Sequence, residues 1–142
     1  MVKNVLLIDD DEIALMVCEF VIQINAFADQ IDTAKSGKEG IDFFSNLLTR
    51  NTKVEQQETP SLIFLDLNMP VMDGWDFLDE FTTKYQTVLP NTKVVILSSS
   101  VNPADIVRSK EYGMVIDFIT KPLEEHYLTR LTRKLNYRNL AG

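Results

Sequence analysis

The sequence predicts an α/β domain with a doubly wound, five-stranded parallel sheet and five helices. Short apolar runs of strand length alternate with segments whose apolar residues recur at helical spacing. The strand runs are continuously apolar, which is typical of parallel strands that helices cover on both faces. Ligands of such sheets bind at the carboxyl ends of the strands, where the strand order reverses. Polar residues at those ends are therefore the candidates for function.

Length, charge and cysteine content set the outer limits of the interpretation. The chain has 142 residues, which is enough for about one domain with a single core. It carries 21 acidic and 14 basic side chains, and this net charge of −7 argues against direct binding to nucleic acid or to an anionic membrane. It contains no membrane-spanning run, no signal-peptide pattern and a single cysteine, Cys18. We expect one cytoplasmic domain over residues 1–142.

The first half of the chain contains two strand–helix units. A strand over residues 5–8 precedes a helix with apolar residues on one face, namely Ile13, Val17, Phe20, Val21 and Ile24. The weaker strand over residues 29–34 mixes polar and apolar residues, so we place it at an edge of the sheet. The order 2-1-3-4-5 puts it there and puts the first and third strands at the centre. The helix after Gly37 is expected to bury Ile41, Phe44, Leu47 and Leu48.

The second half contains three further units. Strands are expected over residues 62–65, 94–97 and 115–119. The helix after the third strand begins near Asp73 and presents Leu78, Phe81 and Tyr85. In the next helix, Asn102 is the expected N-cap, Pro103 the first residue and Gly113 the residue that ends it. A last helix over roughly 124–138 carries a stripe of Leu128, Leu131 and Leu135, and the polar segment 49–60 is expected to be a solvated loop.

Polar side chains follow four of the five predicted strands directly. They are Asp9, Asp10 and Asp11, then Asp66, then Ser98, Ser99 and Ser100, and finally Thr120 and Lys121. Clustered carboxylates repel one another unless a cation lies among them, and oxygen ligands with open positions suit Mg²⁺. A hydroxyl and an ammonium opposite them complete a set that fits phosphoryl transfer, in which a carboxylate can itself be the nucleophile. Asp66 is the best candidate acceptor, because it lies between the acids and the Ser/Lys pair.

Four segments together resemble the receiver domain of two-component response regulators, which has a flavodoxin-like fold. They are LLIDDDE at 6–12, LIFLDLNMPVMDGWDFL at 62–78, VVILSSS at 94–100 and DFITKP at 117–122. The resemblance covers about residues 3–135. It departs from the family pattern at the polar segment 49–60, which is longer than usual at that connection.

The resemblance implies how the acidic residues act. Asp66 matches the aspartate that accepts a phosphoryl group from a sensor histidine kinase or a histidine phosphotransfer protein. Asp10 matches a direct Mg²⁺ ligand, Asp9 an acid that acts mainly through water, and Asn68 a residue whose backbone carbonyl binds the metal. The implied cofactor is Mg²⁺. The implied chemistry is self-phosphorylation and autodephosphorylation, so the chain is not expected to be a metabolic enzyme.

The resemblance also implies a switch. Ser98 matches the hydroxyl that binds the phosphoryl oxygen, Lys121 the lysine that pairs with it, and Phe118 the aromatic residue whose rotamer follows the change. The bond between Lys121 and Pro122 matches one that is cis in the family. The switch is expected to act on a protein target through the face of the fourth helix, fifth strand and fifth helix. Ser99 and Ser100 match positions that tune access to the phosphoryl group and its lifetime, or are simply turn residues.

Two other classes of function remain open at this point. One is a degenerate receiver that serves as a constitutive binding module, against which the intact acidic, serine and lysine set argues. The other is an aspartate-nucleophile phosphatase of the haloacid dehalogenase type, suggested by Asp9 and Asp11 but lacking the accompanying Thr and cap domain. Because the chain ends soon after the last helix, we expect a stand-alone receiver that acts through protein contacts and binds no DNA.

Several other residues receive structural interpretations. Asp11 and Asp73 are expected to cap helices, Cys18 to pack in the core and His126 to lie on the surface. Of Trp75 and Phe77, one is expected to pack and the other to be exposed. The basic residues of the last helix either complement its negative end or form a docking patch for an acidic partner. They are Arg130, Arg133, Lys134 and Arg138.

Overall fold

A computed structural model describes residues 2–50 and 59–141 of the chain. In this part, five strands alternate with five helices. The strands are β1 Val2–Ile8, β2 Ala28–Ala34, β3 Leu62–Leu65, β4 Lys93–Ser98 and β5 Val115–Thr120. The helices are α1 Glu12–Ile24, α2 Gly37–Arg50, α3 Gly74–Tyr85, α4 Pro103–Ser109 and α5 Glu125–Ala141.

The strands form one parallel sheet in the order β2-β1-β3-β4-β5, as the sequence predicts. β2 lies at an edge, which explains its mixed polar and apolar residues. The register aligns the carboxyl ends of the strands: Ile8 pairs with Leu65, and Leu65 pairs with Ile96. The residues that follow these strands therefore meet at one edge of the sheet.

Two apolar layers cover the sheet, and alternate residues of each strand supply one layer or the other. In β1, Leu6 and Ile8 pack on the side of α2 and α3, whereas Val5 and Leu7 pack on the side of α1 and α5. The residues expected to line α2, α3 and α5 are buried wholly or in part. Ile41, Phe44, Leu47, Leu78, Phe81, Leu128 and Leu131 are buried, and Leu48, Tyr85 and Leu135 are partly buried.

Helix α1 contains the apolar face that its spacing indicates, but most of that face points to solvent, and of its members Val21 is partly buried against the apolar layer. Ile13, Phe20 and Ile24 are 71%, 63% and 67% exposed, and the helix instead buries Leu15, Cys18 and Ile22. Apolar residues lie on both sides of α1, so periodicity alone does not select the side that packs against the sheet and α5. We call the exposed set the α1 stripe; it comprises Ile13, Met16, Val17, Phe20 and Ile24.

The expected helix starts are confirmed. The side chain of Asp11 accepts a hydrogen bond from the backbone of Ile13, and that of Asn102 from Ala104, with Pro103 at the first helical position. Asp73 forms a reciprocal capping box with Asp76 at the start of α3. These caps satisfy backbone donors that have no partner within the helix.

Two expectations in the second half are wrong. Helix α4 ends at Ser109, with Lys110 as its cap, so Gly113 lies beyond the helix and does not terminate it. Three further turn hydrogen bonds, the last from Tyr112 to Ser109, end the helical path before Gly113 is reached. Trp75 and Phe77 are both buried, at 8% and 0% exposure, because the first turn of α3 is enclosed on two sides.

The predicted loop over 49–60 is described only at its ends. Helix α2 continues to Arg50, and Thr59 and Pro60 are buried next to β3. The remainder of that loop, residues 51–58, lies outside the described residues. None of the helices described in the structure has the length and apolar content needed to cross a membrane.

Helix α1 ends in a Schellman motif whose left-handed position is occupied by an alanine. Phe27 donates a backbone hydrogen bond to Ile22 and Ala26 donates one to Gln23, while Ala26 has a φ of 50°. Glycine is the usual residue there, because a side chain opposes this conformation.

Replacing Ala26 with glycine should therefore stabilise the fold by up to about 1 kcal/mol. The matched control, Ala14→Gly in the first turn of the same helix, should destabilise it by up to about 1 kcal/mol. Urea unfolding of both variants measures the difference. Equal destabilisation by the two changes would contradict this account of the helix end.

Candidate functional site

The candidate site lies where β1, β3, β4 and β5 end. Backbone hydrogen bonds join these ends: Asp66 donates to Ile8 at 2.9 Å, and Lys121 donates to Ser98 at 2.7 Å. Each bond continues the sheet by one residue beyond its last paired residues. The polar residue that follows each strand is thereby held beside its neighbours.

Three carboxylates meet at this edge. One oxygen from each of Asp9, Asp10 and Asp66 lies within 4.8 Å of the others. Asp9 and Asp66 are only 5% and 4% exposed, whereas Asp10 is open to solvent. Asp11 turns away to cap α1, as expected. Like charges this close disfavour ionisation unless a cation compensates them, so this cluster is the part of the described chain best suited to hold a divalent ion.

Lys121 supplies the positive charge of the site. Its Nζ lies 2.6 Å from Asp9 Oδ2 and 3.5 Å from Asp66 Oδ1. Burial alone would lower the pKa of Lys121, but the hydrogen bond with Asp9 and the charge of Asp66 outweigh burial, so its pKa lies above the ordinary value. Lys121 is therefore a cation, and its bond to Pro122 is cis, as expected.

Ionisation of the Asp66 carboxyl group is disfavoured where it lies. Burial, and next the negative charge of Asp9, raise the pKa of Asp66 to about 6. Lys121 and a 3.4 Å hydrogen bond from the backbone N–H of Asn68 oppose that rise without cancelling it. One lysine does not neutralise three acids, so the charge balance leaves room for a further cation.

The remaining predicted site residues surround Asp66. Ser98 is the last residue of β4, is 1% exposed, and accepts a 3.4 Å hydrogen bond from the backbone of Ser100. Phe118 lies on β5 opposite Ile96 and is partly buried against the apolar layer. Asn68 follows Asp66 in the loop between β3 and α3. Six of the seven predicted residues thus lie at the carboxyl ends of the strands. The seventh, Phe118, lies within β5, two residues before the end of that strand.

The loop that carries Asp66 and Asn68 depends on a glycine whose packing the sequence interpretation missed. A Cβ on Gly74 would lie 2.6 Å from the carbonyl oxygen of Asp66, and Gly74 itself donates a 3.0 Å hydrogen bond to Leu67. Only glycine allows α3 to start this close to the backbone of Asp66. Its place after Asp73 in MPVMDG was interpreted only as a helix start.

The contacts of two basic residues of α5 differ from both interpretations of the sequence. Arg130 binds Asp117 of β5 through two hydrogen bonds of 2.8 and 3.0 Å, and Lys134 lies 3.2 Å from the same carboxylate. They join α5 to the sheet. Arg133 is exposed, and the side chain of Arg138 lies outside the described residues.

Comparison with known proteins agrees with this geometry. The model of the response regulator receiver domain family matches residues 5–133. The response regulator ARR8 of Arabidopsis thaliana is 30% identical over 136 residues, which cover 90% of this chain and 58% of that protein. The sensor histidine kinase CheAY of Helicobacter pylori is 32% identical over 101 residues, or 71% of this chain and 11% of that protein. The chain thus spans less than two thirds of both relatives.

A solved structure gives the same assignment. The crystal structure of a two-component response regulator from Cytophaga hutchinsonii superposes with a TM-score of 0.84 at 29% identity, covering 96% of this chain and 98% of that one. The chain belongs to the response regulator receiver domain family. Its fold is the flavodoxin-like receiver fold, and its class is a signalling domain of two-component systems.

The raised pKa of Asp66 predicts how stability depends on pH. The folded chain binds this proton more tightly than the unfolded chain, so its stability should fall as the pH rises from about 4 to about 6. Asp66→Asn removes that loss. In EDTA at pH 7, the variant should be more stable than the wild type by about 1–2 kcal/mol, and the advantage should vanish below about pH 4.

Urea unfolding across this pH range tests the prediction. Asp29→Asn, at an exposed position of β2, is the matched control and should show no pH-dependent gain. An Asp66→Asn variant that is less stable than the wild type at pH 7 would contradict the prediction, because it would show that neighbouring groups fully compensate the negative charge of Asp66.

Proposed function

We propose that the chain is a phosphoacceptor in a two-component phosphorelay, with Asp66 as the residue phosphorylated. The observation that carries this proposal is the setting of the Asp66 carboxylate, which is buried beside the carboxylates of Asp9 and Asp10 and lies 3.5 Å from the ammonium of Lys121. A carboxylate accepts a phosphoryl group only if charge on both sides of it is balanced. Lys121 supplies part of that balance, and the proposed metal ion would supply the rest.

The residues at the site fit Mg²⁺. Carboxylate oxygens from Asp10 and Asp66 and the backbone carbonyl of Asn68 are the proposed direct ligands, with Asp9 acting through water. Mg²⁺ prefers oxygen ligands and keeps several waters, and one exposed acid beside two buried ones leaves such positions open. When bound, the ion would neutralise charge on the phosphoryl oxygens.

The chain's own residues carry the transfer. An oxygen of Asp66 attacks the phosphorus of the donor, and the bond between phosphorus and the leaving group breaks as the acyl phosphate forms. Lys121 leaves its position against Asp9 and pairs with a phosphoryl oxygen. The Ser98 hydroxyl donates to another oxygen. Attack of water on the phosphorus later releases phosphate and restores Asp66.

We propose that the donor is a sensor histidine kinase or a histidine phosphotransfer protein that docks on the α1 stripe. The stripe starts at Ile13, one turn from the exposed Asp10, and continues along α1 to Ile24. A contiguous apolar surface of this kind is typical of a protein-binding site. A partner seated on it lies beside the opening to Asp66.

The output is proposed to pass through the face formed by α4, β5 and α5. A phosphoryl group can shift the domain only by as much as its interaction energy differs between two states. Ser98 and Phe118, on neighbouring strands, are the residues proposed to register that difference. The stand-alone organisation, the cytoplasmic location and the lack of DNA binding stay predictions.

Acetyl phosphate with Mg²⁺ should add one phosphoryl group to the wild type, seen as a mass increase that hydroxylamine removes. Asp66→Asn should abolish the increase, since an amide is not a nucleophile here. Lys121→Ala should still accept the group but transmit the switch poorly. Asp73→Asn, outside the cluster, is the control and should label normally.

Two results would replace this proposal. A folded wild type that gains no mass would favour the degenerate receiver that serves as a binding module. Rapid turnover of small phosphate esters without a stable acyl phosphate would favour the phosphatase.

If donor proteins dock on the α1 stripe, a substitution there should slow phosphoryl transfer from a kinase without slowing transfer from a small donor such as acetyl phosphate. Phe20→Ser should slow phosphoryl transfer from the cognate kinase by about tenfold or more, since large contact side chains carry most binding energy. Labelling by acetyl phosphate should stay at the wild-type rate. Val107→Ser, equally exposed but on α4, is the control.

The experiment uses a panel of purified, phosphorylated histidine kinases from the organism that carries this chain. Normal transfer from its best donor to the Phe20→Ser variant would show that the α1 stripe does not dock the kinase. Equal loss with both kinds of donor would point to damage at Asp66 instead.

A further inference from the structure

Four side chains join α3 to α4 and the turn that follows it. The Trp75 ring stacks on Tyr112 with a centroid separation of 5.9 Å, and the Arg108 guanidinium lies 4.4 Å from the centre of the Trp75 ring. The Tyr112 hydroxyl donates a 2.5 Å hydrogen bond to Asp79, one turn further along α3. We call Trp75, Asp79, Arg108 and Tyr112 the α3–α4 clasp.

Helix α4 has little else to hold it. It has seven residues, of which only Ser109 is buried, and Val107 is 66% exposed. A helix this short does not form by itself and takes its position from tertiary contacts. Stacking and cation–π contacts to a buried tryptophan are therefore a large part of what fixes α4.

The clasp is also linked to the proposed switch. Asn102, the N-cap of α4, follows Ser98 by only four residues, so movement of the Ser98 loop displaces the start of α4. Trp75, Tyr112 and Phe118 pack in the same apolar layer. The clasp is closed in the arrangement in which Lys121 binds Asp9 and Asp66.

We propose that the α3–α4 clasp fixes α4 in the resting position and must loosen when Asp66 is phosphorylated. This inference rests on the proposed function and adds its regulation: the clasp sets how readily the phosphorylated state forms. Stabilising one of two states weakens the binding of any ligand that prefers the other state. The clasp therefore lowers the affinity of the domain for a phosphoryl group or its analogue.

The test uses beryllofluoride with Mg²⁺ as the phosphoryl analogue and Trp75, the only tryptophan of the chain, as the fluorescent reporter. Arg108→Ala removes the cation from the ring, and Tyr112→Phe removes the hydrogen bond to Asp79 while keeping the ring. Each variant should reach half-saturation at a beryllofluoride concentration about fivefold lower than the wild type. Acrylamide should quench Trp75 more strongly once the analogue is bound.

Two variants on α3 serve as matched controls. Lys84→Ala breaks an ion pair with Glu80 within that helix, and Tyr85→Phe removes a hydroxyl from a ring that packs against Phe44 and Phe81. Both should bind the analogue as the wild type does. Thermal unfolding of all variants separates lost stability from changed affinity, since a merely structural clasp would lower the melting temperature without tightening binding.

The outcomes are distinguishable. A wild type that binds beryllofluoride, with clasp variants that bind it no more tightly, would overturn the clasp and leave the proposed function intact. A wild type that binds no beryllofluoride and gains no mass from acetyl phosphate would overturn the proposed function and the clasp with it. Tighter binding by both clasp variants, with unchanged controls, is the result that supports the inference.

Discussion

The site depends on two aspartates held together out of water. Asp9 and Asp66 are almost fully buried at the ends of adjacent central strands, and a single lysine, Lys121, approaches both. Bringing such charges together is unfavourable unless partners compensate them. The sheet order makes the arrangement possible, because β1 and β3 are neighbours and the end of β5 reaches the site through the hydrogen bond between Lys121 and Ser98.

The excess of negative over positive charge at this site is also what suits it to bind a cation. With three acids and one lysine, the cluster favours any further positive charge, and the pKa of Asp66 is raised to about 6 mainly by its burial. In the proposed function, a bound cation would relieve the repulsion, and Lys121 would then be free to pair with the transferred phosphoryl group. The electrostatic cost at the rim is thus one that a metal and a phosphoryl group could offset together.

The fold, and the meeting of the candidate residues at one rim of the sheet, could be predicted from the sequence because both follow from local patterns. Apolar runs mark the parallel strands, the mixed β2 marks an edge, and polar residues immediately after four strands mark the rim. What could not be predicted depends on tertiary packing. Helix α1 has apolar residues on two sides, and their spacing alone does not show that Phe20 is exposed whereas Ile22 is buried in the layer shared by the sheet, α1 and α5. The enclosure of Trp75 likewise comes from α4 and Tyr112.

Two glycines also show the difference between what local patterns predict and what tertiary contacts decide. Gly113 is a plausible helix terminator in the sequence, yet α4 ends four residues earlier because turn hydrogen bonds from Lys110, Glu111 and Tyr112 take over. Gly74 stands in a recognisable motif, but its need for close backbone contact with Asp66 appears only in three dimensions. Contacts between elements distant in sequence decide these points, and no local pattern encodes them.

The central claim is that Asp66 itself accepts the phosphoryl group. The most direct measurement is borohydride reduction of the phosphorylated chain followed by peptide sequencing in a mass spectrometer, since reduction converts an aspartyl phosphate to homoserine. The account predicts homoserine at position 66 alone. Homoserine at position 9 or 10, or a phosphoryl group on His126, would contradict it.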